Sequence, residues 1–224
     1  MNTIHIFHIK HEEKIQEEIF RKYLLLLPED FQKDINAYKH WESAQASLLG
    51  KMLLLYGLKK LNIPYTLQDL KTGAKDRPYI INADFDFNIS HSGDYVICAI
   101  VQNARVGIDI EKHRTLKMNI AERYFDEHEC REIDCSEQPE QAFFKFWSIK
   151  EAAIKCDGRG VEVLSKTHVL SASNRGTANE NKVLCDGNTF QYQKLEIETG
   201  YSCAVCSTAA FDINLHKMQL TDLV

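Results

Sequence analysis

The stretch "DFDFNISHSGDYVICAIVQNARVGIDIE", residues 84 to 111, constrains the chain most. Phe85, Phe87 and Ile89 alternate with polar residues and so share one face of a strand. Ser92-Gly93-Asp94 has the composition of a tight turn. Tyr95 to Val101 is a nearly continuous apolar strand, Gln102 to Arg105 is a second turn, and 106 to 111 alternates again. Three strands with two short connections predict an antiparallel meander.

The flanks add helix. Residues 3 to 9 read as a first strand. Helical periodicity covers 11 to 23 and 29 to 61, with Pro28 before the second run and Pro64 beyond it. A short strand is expected at 79 to 81. Further on, helical signal runs over 117 to 134 and 138 to 156, and strands are expected at 161 to 164, 168 to 172, 189 to 197 and 201 to 208. The polar segment 171 to 182 reads as a surface loop. Each half thus holds helix and a small sheet. The fold class is α+β, with an N-terminal lobe at 1–104 and a C-terminal lobe at 105–224 packed as one unit.

Composition narrows the function. The chain has 224 residues, 44% hydrophobic and 26% charged, with a net charge of −5. An acidic balance argues against a nucleic-acid-coating protein. "YLLLL" at 23 to 27 stops at Pro28, well short of a membrane span. The N-terminus lacks a signal peptide's layout, so a cytoplasmic protein with reduced thiols is expected. Seven cysteines at irregular spacing include one isolated C-x-x-C, Cys203 and Cys206, with no second pair spaced for zinc.

Two segments carry chemistry. In "VGIDIE", Val106, Ile108 and Ile110 point one way, and Gly107, Asp109 and Glu111 the other. Two carboxylates about 7 Å apart on one strand face repel unless a cation stands between them. Taken alone, such a pair is more common as a solvated face. Oxygen ligands of this kind suit magnesium. In "FWSIKEAAIKCDGRG", residues 146 to 160, one helical stripe is Phe146, Ile149 and Ala153, and another is Trp147, Glu151 and Lys155. The plain reading of the second stripe is a surface helix with one i,i+4 ion pair. If it faces Asp109, Glu151 becomes a third carboxylate, Lys155 reaches a phosphate, and Trp147 packs the helix at the lobe interface. His91, between Ser90 and Ser92, is either a hairpin histidine or a phosphate contact. A serine hydrolase is excluded, since neighbouring residues on a strand point to opposite faces and no G-x-S-x-G elbow is present.

"NISHS", "VGIDIE" and "FWSIKEAAIKCDGRG", in this order and spacing, resemble the 4′-phosphopantetheinyl transferases of the larger surfactin-synthetase-activator (Sfp) type. The resemblance covers about residues 73 to 160 and extends loosely to both ends. It implies a monomer of two pseudo-symmetric lobes with coenzyme A in the cleft between them. The implied reaction moves 4′-phosphopantetheine to a serine of an acyl or peptidyl carrier protein, with Mg2+, releasing 3′,5′-ADP. By the same resemblance Asp109, Glu111 and Glu151 would hold magnesium. Ser90 and His91 would hold a phosphate of the nucleotide, and Lys155 would contact the pyrophosphate and the leaving group. Glu129, in "RYFDEHE", matches the carboxylate that would deprotonate the carrier serine, or is a charge on an exposed helix face. Lys150 would face the phosphates or solvent.

Two departures stand out. Where the family has G-K-P or G-R-P against adenine, this chain has Asp76-Arg77-Pro78. Where the family often has an arginine before "LLG" for the 3′-phosphate, this chain has Gln45 and Ala46. Lys33 is then the first substitute for that grip, with Lys39 and His40 behind it. Two rival functions stand beside this one: a non-catalytic relative that binds coenzyme A or carrier protein, to which the altered grip points, and, more distantly, a magnesium-dependent coenzyme A phosphodiesterase.

Overall fold

The computed structural model describes residues 1–73, 75, 77–115, 121–170 and 181–223. In chain order the elements are β1 (Asn2–Lys10), α1 (Glu17–Leu24), α2 (Glu29–Asn36), α3 (Trp41–Lys60), β2 (Leu70–Thr72), β3 (Pro78–Ile80), β4 (Phe85–Ser92), β5 (Tyr95–Gln102) and β6 (Val106–Lys112). Then come α4 (Ala121–Tyr124), α5 (Glu127–Asp134), α6 (Pro139–Asp157), β7 (Thr167–Leu170), β8 (Lys182–Cys185), β9 (Asn188–Leu195), β10 (Tyr201–Ser207) and β11 (Phe211–Met218). The fold is α+β, and its two main sheets run β11-β1-β5-β4 and β6-β10-β9-β8-β7.

These sheets stack face to face. Ile4 and Ile6 of β1, Ile97, Ala99 and Val101 of β5, Val106, Ile108 and Ile110 of β6, and Val205 of β10 form one apolar layer between them. On the far side of the first sheet, Phe7, Val96, Cys98 and Ile100 pack with Leu49, Leu53 and Leu54 of α3. On the far side of the second, Ala204, Cys206 and Phe190 pack with Ile149, Ala152 and Ala153 of α6. The result is four layers, helix–sheet–sheet–helix. It explains the unbroken apolar run of β5, which is buried on both faces.

Five expectations change. The three strands at 84–111 are not one meander: β4 and β5 pair antiparallel, but β6 leaves their sheet and pairs with β10. The last strand, β11, lies parallel to β1 in the first sheet, so a boundary at 104/105 leaves one strand of the first sheet in the C-terminal segment. Residues 11–16 are not helical, because Gln45 of α3 holds their backbone: Ile15 N donates to Gln45 Oε1 (2.8 Å) and Gln45 Nε2 donates to Glu13 O (2.8 Å). Residues 161–164 form part of a 3-10 turn, Val161–Lys166, rather than a strand. The expected helix at 117–134 is α4 and α5, split where Asp126 caps α5 with a capping box to Glu129; its residues 117–120 lie outside the described residues, as does most of the loop at 171–182.

β6 is an edge strand of the second sheet, and side chains of β4 close its free edge. Asp86 Oδ2, Asn88 Oδ1, Ser90 Oγ and Ser92 Oγ accept from the backbone N–H groups of Val106 (2.9 Å), Ile108 (2.9 Å), Ile110 (3.4 Å) and Lys112 (3.1 Å). The polar face of β4 is therefore a hydrogen-bonding partner, not a solvated face. This ladder sets the register of the two lobes and brings Ser90 beside Asp109 and Ser92 beside Glu111.

Gly107 fixes the other side of β6. A Cβ there would overlap the carbonyl oxygen of Ala152 and the amide nitrogen of Cys156. The strand thus touches the α6 backbone directly, and backbone cannot swing away as a side chain can. Gly107→Ala is expected to destabilise the fold by roughly 1–3 kcal/mol through overpacking and to shift β6 relative to α6. Equilibrium urea unfolding reads the loss; an unchanged midpoint would mean that the close approach is not maintained in solution.

Candidate active site

The site lies where the ends of β4 and β6 meet α6. Asp109 is 3% exposed at the centre of β6. Its Oδ1 takes Lys155 Nζ at 2.6 Å and Ser90 Oγ at 2.9 Å, and Lys155 Nζ also donates to Ser90 Oγ at 3.0 Å. Its Oδ2 is buried with no hydrogen-bond partner among the described residues. Glu111, two residues on and on the same face, accepts from Ser92 Oγ (3.1 Å) and pairs with Arg114 (3.3 Å). Glu151 comes from α6, one turn before Lys155.

The three carboxylates feel one another. Burial raises the pKa of Asp109, opposed by the Lys155 ammonium. Burial and then the charge of Asp109 raise Glu111. Burial, then Asp109, raise Glu151, with Lys155 opposing and Glu111 adding. Carboxylates arranged this way resist full ionisation unless a cation joins them. The donor set is all oxygen, with one buried carboxylate oxygen unpartnered, and this chemistry fits magnesium. The three do not close into a ready cage: the one group of three ligand atoms within 4.8 Å among the described residues is Asp126, Glu129 and His168.

That second group is already satisfied. Glu129 is 0% exposed, and its Oε2 takes Lys150 Nζ at 2.6 Å and the Asp126 amide at 3.0 Å. Its Oε1 takes the amide of Val169 at 3.0 Å. Asp126 Oδ1 caps α5 through the amides of His128 and Glu129, both at 2.9 Å, and Oδ2 meets His168 at 3.1 Å. Lys150, also 0% exposed, donates to Tyr124 O (2.8 Å) and stands 4.7 Å from the Phe125 ring centre. Burial pushes its pKa down, and the Glu129 carboxylate opposes that. Glu129 is therefore not on an exposed helix face, and Lys150 faces neither solvent nor the Asp109 cluster. The two form a buried ion pair inside the second lobe. Trp147 belongs there as well, stacked on Phe143 and edge-on to Tyr124 and Phe125, instead of at the lobe interface.

Lys155 is unlike the i,i+4 surface pair that its spacing allows. Its ion pair crosses to Asp109 on the strand, and no Glu151–Lys155 ion pair forms among the described residues. Beside it opens a cavity of about 250 Å3, bordered by Arg77, Pro78, Phe87, Ile89, Glu151 and Lys155, with Gly158 and Gly160 at the turn after α6. Gly158, at φ 89°, is the left-handed residue that ends the helix. Arg77 and Pro78 thus reach the cavity as their place in the sequence suggests, while Asp76 lies outside the described residues.

His91 ends β4 beside this cluster. Its surroundings and then the charges of Lys155, Lys51 and His11 lower its pKa. Lys51, not among the sequence candidates, also bears on His91. It follows "SLLG" on α3, its Nζ donates to Ser47 Oγ (2.9 Å), and burial pushes its pKa down to about 8 against a weaker pull from Asp34. The signal was the i,i+4 spacing of Ser47 and Lys51 on the helix face that presses against Ile89 through Gly50. Lys33, by contrast, is 71% exposed on α2 and pairs loosely with Asp30 at 3.5 Å. Gln45 is occupied with the 13–15 backbone, and Ala46 is 3% exposed in the core.

Comparison with known proteins bears on both lobes. Residues 14–103 match the family model described as 4′-phosphopantetheinyl transferase, N-terminal, and residues 105–206 match that of the 4′-phosphopantetheinyl transferase superfamily. The 4′-phosphopantetheinyl transferase gsp of Aneurinibacillus migulanus is 29% identical over 227 residues, covering 98% of this chain and 93% of its own. The 4′-phosphopantetheinyl transferase Sfp of Bacillus subtilis (strain 168) is 30% identical over 212 residues, covering 90% and 91%. The 4′-phosphopantetheinyl transferase psf-1 of Bacillus pumilus is 33% identical over 172 residues, covering 73% and 71%.

Proposed function

Because this chain belongs to the 4′-phosphopantetheinyl transferase family and is a transferase, we propose that it moves the 4′-phosphopantetheine of coenzyme A to a serine of an acyl or peptidyl carrier protein, with magnesium, releasing 3′,5′-ADP. The observation that carries this reading is the junction of Asp109, Glu111, Glu151 and Lys155 beside the 250 Å3 cavity. Asp109, Glu111 and Glu151 would hold the ion, which when bound supplies positive charge to the donor's pyrophosphate. Lys155 is held by Asp109 and Ser90 with its ammonium already placed, so it adds charge where the leaving phosphate gains it. Pro78 and the stem of Arg77 wall the cavity for the nucleotide. Glu129 and Lys150 act as a structural pair, not as base and phosphate contact. The protein works as a monomer in the cytoplasm and has no nucleic-acid or membrane partner in this reading.

The direct test is the mass of a carrier protein after incubation with coenzyme A and magnesium. A gain of one phosphopantetheine on one serine is expected. Consumption of coenzyme A with an unmodified carrier would instead identify a phosphodiesterase. No change in either would identify a binding protein.

The 3′-phosphate is assigned to Ser47, Lys51 and His91 in place of the family's arginine. The charges of Lys155 and Lys51 both bear on His91, so an anion bound there would be favoured. Lys51→Met is expected to weaken coenzyme A about tenfold or more, the order of one hydrogen bond to a charged group, while dephospho-coenzyme A is nearly unaffected. Wild-type affinity for coenzyme A should also fall as pH rises past about 8, where Lys51 loses its proton. Titration calorimetry with both donors checks this; equal losses for the two would remove Lys51 from the 3′-phosphate.

A further inference from the structure

Arg77 sits where the sequence suggests a nucleotide contact, yet both of its Nη groups are turned onto protein. Nη1 donates to the backbone carbonyl of Lys155. Nη2 reaches Asp86 Oδ2 (2.8 Å), Val106 O (3.0 Å) and Phe87 O (3.2 Å). Asp86 Oδ2 also accepts from the Val106 amide (2.9 Å). The Arg77 and Asp86 side chains are only 16% and 23% exposed. One guanidinium therefore joins β4 of the first sheet, the start of β6 in the second, and the last turn of α6.

The third of these contacts matters most. The carbonyl of Lys155 lies in the final turn of α6, where carbonyls lack partners within the helix and a cation is favoured. The same residue's side chain carries the ammonium on Asp109. Gripping the carbonyl fixes how the α6 end is turned, and so where Nζ stands between Asp109 and Ser90. A lysine at position 77 would keep the charge but not the fork, and could not span these acceptors together.

We propose that Arg77, anchored by Asp86, is a positioning residue that clamps the end of α6 across the two lobes and aims Lys155, rather than a contact to the donor. This rests on the transfer reading above.

The test is a double-mutant cycle on transfer, with Arg77→Ala, Lys155→Ala and the pair, and coenzyme A binding followed separately. Arg77→Ala is expected to lower kcat about tenfold, within the coupling range of residues in one hydrogen-bond network, and Arg77→Lys, which keeps the stem that walls the cavity, should change the coenzyme A Kd less than about twofold. In the Lys155→Ala background Arg77→Ala should cost almost nothing more. Arg77→Lys and Asp86→Asn keep the size of the side chains and should lower kcat in the same direction, which keeps the test open if Arg77→Ala folds poorly. Additive losses in the cycle would mean that Arg77 merely stabilises the fold, and would overturn the clamp. A raised Kd with kcat preserved would make Arg77 a donor contact, and would overturn it too. A wild-type protein that transfers nothing would instead fail the transfer reading and take the clamp with it, whereas the other two outcomes leave that reading standing.

Discussion

Lys155→Ala should lower kcat for carrier modification by about 10²–10³-fold with saturating magnesium, and change the coenzyme A KM far less. The reason is where charge appears. Breaking the pyrophosphate leaves new negative charge on the departing nucleotide, and an ammonium fixed nearby stabilises that charge more than it stabilises the bound donor. Removing one such preorganised donor typically costs on the order of 2.7–4 kcal/mol of barrier. Lys155 is preorganised in this sense, since Asp109 Oδ1 at 2.6 Å and Ser90 Oγ at 3.0 Å hold its Nζ from the protein side. Its side chain remains 28% exposed, so the ammonium is accessible from the cleft. An exposed helix pair would behave differently, because such pairs are worth ~0–1 kcal/mol and their loss barely moves a rate. Steady-state kinetics with coenzyme A and a carrier separates the cases. A variant with kcat intact and KM raised would make Lys155 a ground-state anchor only.

The parts of this molecule that were legible in the sequence are those whose chemistry is local. Asp109 and Glu111 share a face because strands alternate, and Glu151 and Lys155 share one because helices repeat every 3.6 residues. Gly158 ends α6 as its position suggests. What was not legible depends on long-range pairing. The apolar alternation of β6 reads the same whether it pairs with β5 or β10. The destination of β11 beside β1 has no local mark at all. The polar residues Asp86, Asn88, Ser90 and Ser92 look like a solvated face, and only the neighbouring edge of β6 shows what they bond. In the proposed reading Lys51 takes its role from His91, forty residues away, and no local pattern marks that link. The exposed-face alternative for Glu129 and the solvent alternative for Lys150 fail for the same reason: a charged residue on a helix is most often exposed, and only the tertiary fold shows that each buries the other.

That buried pair carries the second large effect. Glu129→Ala should destabilise the protein by about 3–5 kcal/mol, because it leaves the Lys150 ammonium in a site with 0% exposure and without its ion-pair partner. For a chain of this size each kcal/mol is worth roughly 2–4 °C, so Tm should drop by about 6–20 °C. The variant also loses three hydrogen bonds that tie the α5 start and β7 to this carboxylate: those from Lys150, the Asp126 amide and the Val169 amide. Part of the cost can be relieved if Lys150 gives up its proton, toward which burial already pushes it. Combining Glu129→Ala with Lys150→Met should therefore be much less destabilising than the sum of the two single changes, since no unpaired charge is left behind. A general base would leave a different signature. Its removal would collapse kcat while Tm stayed within a degree or two, and Lys150→Met would not repair the loss. Melting curves of the two single variants and the pair, run beside carrier-modification rates, distinguish the two roles. A stable but inactive Glu129→Ala protein would return this carboxylate to the reaction.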